Sequence, residues 1–229
     1  MNRYRLLVAG IIAALGPLGF AISLVQAQTQ EHGQTARGAV IAAQGTAAGA
    51  PACAQCHAYN GVSDASGAFP RIAGQSGYYL AKQLRDFASG ERTSALMTPI
   101  AKGLSPDDIA DVTAYYASIK APFLPLKPGD AALVKHGEQL AKIGSAGRQI
   151  QSCDNCHGPM GAGEPPAIPY LAGQYAHYIA FTLGMWRQGY RKNSANTMGV
   201  IAEKLSDDEI AAVAAYYQQV NAPLEAAAK

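Results

Sequence analysis

The feature that most constrains this chain is an internal repeat, in which almost every motif occurs twice about 100 residues apart. Three segments recur in the same order: Cys53–His57 as Cys153–His157, Pro70–Gln75 as Pro169–Gln174, and Met97–Pro122 as Met198–Pro223. Self-similarity at a fixed spacing indicates that each repeat forms one structural unit. The chain is therefore expected to fold as two domains of the same architecture.

The boundary between the domains is predicted at a proline-rich segment. Residues 121–130, APFLPLKPGD, contain three prolines, which favour an extended and semi-rigid linker. We therefore assign residues 36–122 to the first domain, residues 123–130 to the linker and residues 131–229 to the second domain.

Helix signals dominate both repeats, and no convincing alternating strand pattern is present. Ser206–Glu209, SDDE, is a capping box, in which the serine accepts a backbone N–H and the glutamate reaches back to the serine amide. Its counterpart, Ser105–Asp108, has proline at the first helical position. Apolar residues at helical spacing follow each cap, so the sequence predicts an all-α protein. Further helices are predicted over Ala39–Gly45, Gln75–Ala88, Ala131–Ile143 and Gln174–Arg187.

The two CxxCH motifs predict the chemistry. CxxCH is the attachment signature of c-type haem, in which both thiols bind one edge of the ring and the histidine supplies an axial nitrogen. A zinc ribbon would leave both histidines unexplained, and a thioredoxin-like dithiol requires a βαβ context that the pattern lacks. The sequence thus predicts two covalently bound haem c groups. The predicted attachment residues are Cys53, Cys56, Cys153 and Cys156, which are all the cysteines of the chain, and the predicted axial nitrogens belong to His57 and His157.

Two methionines occupy equivalent places in the repeat and are the candidates for the opposite axial position. Met97 follows His57 by 40 residues and Met198 follows His157 by 41, each in a polar loop before a capped helix. Core packing is the alternative role for a methionine. Met/His ligation fills both axial positions and raises the reduction potential, so Met97 and Met198 are predicted as iron ligands. Met160 lies too close to His157 to reach the opposite face and is expected only to line the haem edge.

Several other side chains are candidates for supporting roles. Pro70 and Pro169 fix the chain, and the carbonyl of each could accept the second ring N–H of its histidine. His136 and His177 have no counterpart in the repeat, so structural or surface roles are expected for them. Candidates for hydrogen bonds to the haem propionates are Tyr79, Tyr178, Arg85, Arg92, Arg187, Arg191 and Trp186.

The N-terminus reads as an export signal. Residues 1–27 combine a basic start, an apolar run and a small-residue cleavage site, as a secretory signal peptide does, and an uncleaved membrane anchor is the alternative. Residues 28–35 form a polar leader. Cleavage would remove Arg3 and Arg5 from 18 basic residues and leave them equal in number to the 16 acidic ones. No basic stripe is present, so nucleic acid is not an expected partner.

With these motifs in tandem, the chain resembles the dihaem cytochrome c4 family from about Ala36 to Pro223. The resemblance implies two cytochrome c domains, His57/Met97 and His157/Met198 ligation, the carbonyl role of Pro70 and Pro169, and electron carriage between periplasmic redox partners without enzymatic activity. Those partners would be a dehydrogenase, a quinol-oxidising complex or a terminal oxidase. A haem subunit of a membrane dehydrogenase or oxidase complex is the alternative, and a dihaem peroxidase a further one. Two departures are Ala58–Asn60, where the family more often has a glycine after the histidine, and Gly144–Ile150, a candidate insertion.

Overall fold

The computed structural model describes residues 34–221, apart from residues 125, 127, 128 and 195. The predicted signal peptide at residues 1–27 and the leader as far as residue 33 lie outside the described residues. Within the described part, no helix is both long enough and apolar enough to cross a membrane. The linker is described only in part, and the proposed domain boundaries stay a prediction.

Within the described residues, each repeat contains five α-helices in the same order, as expected for an all-α pair of domains. The first repeat contains α1 (Thr35–Gln44), α2 (Ala54–His57), α3 (Gly77–Ser89), α4 (Met97–Lys102) and α5 (Pro106–Ser118). The second contains α6 (Ala131–Lys142), α7 (Asp154–His157), α8 (Ala176–Arg187), α9 (Thr197–Lys204) and α10 (Asp207–Gln219). All of the helices predicted from the sequence are present, although α1 begins four residues earlier than the predicted Ala39.

Both predicted capping boxes are formed. The Ser105 hydroxyl accepts from the Asp108 amide at 3.1 Å, and the Asp108 carboxylate accepts from the Ser105 amide at 3.0 Å. In the second repeat the corresponding distances between Ser206 and Glu209 are 3.2 and 2.7 Å. These bonds satisfy N–H groups that the first turn of a helix leaves unpaired, so they fix where α5 and α10 begin.

The loop that precedes the second CxxCH motif is not a large insertion. The Ser145 amide donates to the Ile150 carbonyl at 2.8 Å, and in the first repeat the Thr46 amide donates to the Ala50 carbonyl at 2.9 Å. The two loops are therefore counterparts that differ by one residue, which a surface loop tolerates.

A close helix crossing recurs in both domains. A Cβ atom on Gly38 of α1 would lie 2.0 Å from the Asp111 carbonyl oxygen of α5, and one on Gly137 of α6 would lie 2.0 Å from the Ala212 carbonyl oxygen of α10. Only glycine permits so close an approach of two helix backbones. The crossing thus fixes the first and last helices of each domain against each other.

We expect Gly137→Ala to destabilise the second domain by about 1–3 kcal/mol, because the new methyl group displaces the backbone of α10. Gly184→Ala is the matched control, since Gly184 also lies inside a helix but a Cβ there meets nothing within 4 Å. Helix propensity alone predicts that Gly184→Ala stabilises by up to about 1 kcal/mol. Denaturant unfolding of the holoprotein measures the change in the free energy of unfolding for both variants. Equal changes of the same sign would contradict the role of Gly137 in a close helix crossing.

The C-terminal ends of α5 and α10 hold the repeated proline–glutamine segments in place. The Gly74 amide donates to the Tyr116 carbonyl at 2.9 Å, and the Gly173 amide donates to the Tyr217 carbonyl at 2.8 Å. Both tyrosine side chains are buried in the hydrophobic core of their own domain. Core packing therefore fixes the path of the chain just after Pro70 and Pro169.

Candidate functional site

Each CxxCH motif is built on a single helical turn. In α2 the His57 amide donates to the Cys53 carbonyl at 3.0 Å, and in α7 the His157 amide donates to the Cys153 carbonyl at 2.9 Å. Residues three and four apart share one side of a helical turn, so both thiols and the histidine of a motif face the same way. Ala58, the departure noted above, adopts φ 58°, and Gly158 adopts φ 73°. The missing glycine thus leaves the backbone path unchanged.

A proline carbonyl holds each histidine ring. His57 Nδ1 lies 3.2 Å from the Pro70 carbonyl oxygen, and His157 Nδ1 lies 2.8 Å from the Pro169 carbonyl oxygen. Because a carbonyl only accepts, Nδ1 must be the protonated nitrogen and Nε2 keeps its lone pair. Burial lowers the pKa of both imidazoles, which favours the neutral form that binds a metal.

The two candidate methionines are held in the same way in both repeats. The Met97 amide donates to the Ser94 hydroxyl at 3.1 Å, and the Met198 amide donates to the Ser194 hydroxyl at 3.2 Å. Each methionine thereby lies in the first turn of its helix, α4 or α9. The sequence analysis did not single out these serines, although a serine three or four residues before each methionine was the available signal.

A single cavity of about 560 Å³ brings the two repeats together. Both CxxCH motifs line it, and so do Met97 and Met198. Leu80, Ile179 and Leu183 contribute to a largely apolar wall. Its volume lies within the usual range for ligand pockets, and its donors are the thiols, imidazoles and thioethers that c-type haem requires.

Two arginines meet across the boundary between the repeats. Arg92 and Arg191 are equivalent in the repeat and form an isolated backbone bridge. Their guanidinium groups both donate to the Gln83 side-chain oxygen, at 2.8 and 3.0 Å. Arg92 also donates to the Tyr178 hydroxyl at 2.9 Å, and Arg191 donates to the Tyr79 hydroxyl at 3.3 Å. All five side chains line the cavity.

The carboxylate beside this cluster is that of Asp86, whose field reaches Arg92. Asp86 also accepts from Asn193 at 2.6 Å and pairs with Lys82 at 2.5 Å, so its negative charge is shared with a third cation. Although desolvation alone would raise the pKa of Tyr178, the field of Arg92 and Arg191 brings it down to about 8. Buried positive charge of this kind requires an anionic partner.

An unpaired donor at the cavity wall also points to an anionic ligand. The Trp186 indole N–H is buried and has no hydrogen-bond partner among the described residues. It lines the same cavity, and the Arg191 guanidinium lies 3.9 Å from the centre of its ring. Haem propionates are carboxylates that would accept from such donors, so the residues present fit the predicted cofactor.

Not every predicted supporting residue lies at the cavity. Arg85 and Arg187 do not line it, and Arg187 instead pairs with Asp207 at 2.7 Å. Met160 does not line it either, and the residue is 42% exposed. The contact of Met160 with a haem edge stays a prediction. His136 and His177 are exposed, consistent with the surface roles expected for them.

The alternative of a protein-ligated metal site has no ligand set in the described part of the chain. No group of three or more histidine, cysteine, aspartate or glutamate side chains lies close enough together there to hold a metal ion.

Comparison with protein-family models finds a match in each repeat. The model described as cytochrome c matches residues 36–120, and the model described as cytochrome c oxidase, cbb3-type, subunit III, matches residues 140–216. Over 189 residues the chain is 43% identical to the thiosulfate dehydrogenase electron acceptor of Stutzerimonas stutzeri (strain A1501). That alignment covers 82% of this chain and 88% of the relative.

Two solved structures share the fold. Reduced recombinant cytochrome c4 from Pseudomonas stutzeri superimposes with a TM-score of 0.73 at 33% identity, covering 82% of this chain and 100% of that chain. The thiosulfate dehydrogenase TsdBA from Marichromatium purpuratum gives a TM-score of 0.76 at 37% identity, covering 83% of this chain. The chain spans 40% of the length of TsdBA, so most of that protein has no counterpart here.

Proposed function

The chain belongs to the dihaem cytochrome c4 family, and from this premise we propose that it accepts electrons from a periplasmic dehydrogenase that oxidises thiosulfate or a related inorganic sulfur compound. The protein has two cytochrome c domains and two covalently bound haem c groups, and it transfers electrons. We also propose which residues bind the two irons, which enzyme donates the electrons and that the protein acts in the periplasm.

The residues at the cavity divide into two equivalent sets. Cys53 and Cys56 would bind the first haem covalently, and His57 and Met97 would fill its two axial positions. Cys153, Cys156, His157 and Met198 would do the same for the second haem. When bound, each haem supplies an iron that gains or loses one electron. The proline carbonyls at 3.2 and 2.8 Å support this assignment, because they orient each imidazole and make it more basic.

The shared cavity is the observation that carries the proposal. Both CxxCH motifs line one largely apolar space, so the two haems would occupy a connected site through which an electron could pass from one domain to the other. The low dielectric of such a space reduces the reorganisation of water around a changing charge. A carrier between two proteins benefits from this arrangement, since one domain can accept while the other donates.

The presence of a methionine that would fill the last axial position of each iron argues against enzymatic activity of the chain itself. A dihaem peroxidase requires an open or readily opened axial position, whereas a methionine with the same serine anchor is available in both repeats. The arrangement therefore supports a carrier, and we expect no steady turnover of peroxide.

The partner assignment follows the relatives. One similar protein is named as the electron acceptor of thiosulfate dehydrogenase, and in TsdBA a chain that bears that enzyme's name contains a region similar to most of the present one. We infer that the present chain receives electrons from a separate enzyme of that kind. Export to the periplasm is consistent with the sequence of residues 1–27 and places the two proteins in one compartment.

We expect thiosulfate dehydrogenase and thiosulfate together to reduce both haems of the oxidised protein within seconds in stopped-flow absorption. Mixtures that lack either the enzyme or thiosulfate are the controls and should leave the protein oxidised. Rapid reduction by a quinol-oxidising complex, with none by thiosulfate dehydrogenase, would contradict the partner assignment and favour the alternative role in a membrane complex.

A further inference from the structure

Two buried glutamines reach across the domain boundary in a crossed arrangement. The Gln174 side-chain oxygen accepts from the Arg71 amide at 2.9 Å, and its nitrogen donates to the Arg71 carbonyl at 2.9 Å. In the opposite direction, Gln75 makes the same two bonds to the Tyr170 backbone, both at 3.3 Å. All four residues are buried. In each domain, one glutamine side chain thus uses both its oxygen and its nitrogen to bind the backbone of a single residue in the other domain.

The residue that Gln174 binds, Arg71, shares a peptide group with the carbonyl that accepts from His57. The Arg71 N–H and the Pro70 carbonyl belong to the same planar peptide group, whose resonance couples the two atoms. That carbonyl accepts from His57 Nδ1, and the N–H of the same peptide donates to Gln174. A continuous chain of hydrogen bonds therefore runs from His57 in the first domain to Gln174 in the second.

The second histidine has the same chain in the reverse direction. His157 Nδ1 donates to the Pro169 carbonyl at 2.8 Å, and the Tyr170 N–H of that peptide group donates to Gln75. Hydrogen bonds linked in this way polarise one another. An acceptor on the N–H makes the carbonyl a better acceptor, and the histidine ring that donates to it becomes more basic.

We propose that Gln174 and Gln75 are positioning residues, each of which tunes the axial histidine of the opposite domain. Gln174 acts on His57 through the Pro70–Arg71 peptide, and Gln75 acts on His157 through the Pro169–Tyr170 peptide. The inference rests on the proposed ligation by both histidines. A more basic histidine stabilises the oxidised iron, so each glutamine lowers the reduction potential of the haem in the other domain.

The glutamines are not alone in holding the domains together, which provides a matched control. The Tyr175 hydroxyl donates to the Val62 carbonyl, and the Tyr170 hydroxyl donates to the Ala73 carbonyl at 2.7 Å. Neither bond involves the Pro70–Arg71 or the Pro169–Tyr170 peptide group, whose carbonyls accept from the two haem histidines. Tyr175→Phe therefore removes a bond across the same boundary without breaking either chain of hydrogen bonds.

The test uses the full-length holoprotein with Gln174→Met, which keeps the length of the side chain and removes both bonds to Arg71, together with the bond that the Gln174 side-chain oxygen accepts from the Tyr175 amide at 3.1 Å. Redox titrations followed by the NMR signals of the two axial methionine methyl groups report each haem separately. The signals are assigned with Met97→Leu and Met198→Leu. We expect Gln174→Met to raise the potential of the haem bound by His57 and to leave the other unchanged. Gln75→Met should raise only the potential of the haem bound by His157.

The predicted pattern, in which each glutamine variant shifts the potential of the haem in the opposite domain, distinguishes tuning of the histidines from a general effect of packing at the domain boundary. Equal shifts at both haems, a shift only in the variant's own domain, no shift at all, or a shift of the same size in Tyr175→Phe would overturn the proposal. If Gln174→Met does not fold, Gln174→Asn draws the amide back by one methylene group and should shift the same haem in the same direction. Failure of the ligation itself is distinguishable, because the unsubstituted protein would then lack both methionine signals.

Discussion

Met198→Leu is expected to remove about half of the weak far-red absorption that marks a methionine bound to ferric haem. Leucine has nearly the same volume but no sulfur, so one iron loses its thioether ligand while the packing is largely kept. Met97→Leu should remove the other half, and the double variant should have none of the band. Because Met/His ligation raises the potential, the haem affected in each variant should also become harder to reduce.

Two further methionines serve as controls for this experiment. Met185 lines the same cavity but lies on α8, and Met160 follows the second CxxCH motif but is 42% exposed and does not line the cavity. Met185→Leu and Met160→Leu should both keep the full far-red band. Ferric Met198→Leu should bind cyanide at one haem much faster than the unsubstituted protein does. Loss of the band in Met160→Leu, with the band intact in Met198→Leu, would contradict the assignment.

The parts of the fold that depend on local sequence were predictable. The capping boxes, the single turns of the CxxCH motifs and the closing helices are each determined by residues within one or two turns of one another. The repeat added a second test of each prediction, because a feature present at both Ser105 and Ser206 is unlikely to arise by chance. The all-α class and the two cytochrome c domains followed from these signals and are confirmed.

Contacts between the repeats were not predictable in the same way. The repeat shows that Arg92 and Arg191 are equivalent, but equivalence does not tell whether they meet. Their meeting at Gln83 and the crossed bonds of Gln75 and Gln174 depend on how the two domains pack, which no local pattern encodes. For the same reason the sequence suggested arginines as propionate partners without separating Arg191 from Arg187.

Met160 shows where an argument from sequence distance stops. Its three-residue distance from His157 predicts only that it starts on the histidine's side of the ring. In the structure the residue adopts φ 59°, its amide donates to the Asp154 carboxylate at 3.0 Å, and it does not line the cavity. A left-handed backbone at a methionine is not readable from residue type.

The second large effect is expected at the arginine cluster. Arg191→Met keeps most of the side-chain volume and removes a buried positive charge beside the cavity, next to the half-buried Arg92. A nearby positive charge disfavours the oxidised iron, so its removal should lower the reduction potentials. At an effective dielectric constant of about 20, a unit charge on the order of 12 Å away contributes about 1.4 kcal/mol, or about tenfold in the ratio of oxidised to reduced protein at a fixed potential. For a one-electron couple that ratio corresponds to about 59 mV.

Arg187→Met is the matched control for this charge effect. Arg187 lies at the end of α8, is partly exposed and pairs with Asp207 outside the cavity, so solvent screens its charge. Potentiometric titration should therefore show a clear decrease for Arg191→Met, a similar one for Arg92→Met and little change for Arg187→Met. The absorption spectrum should stay that of methionine-ligated haem in all three variants. Equal shifts in Arg187→Met and Arg191→Met would mean that the buried cluster has no special influence on the haems. An unchanged potential in Arg191→Met would contradict the predicted charge effect.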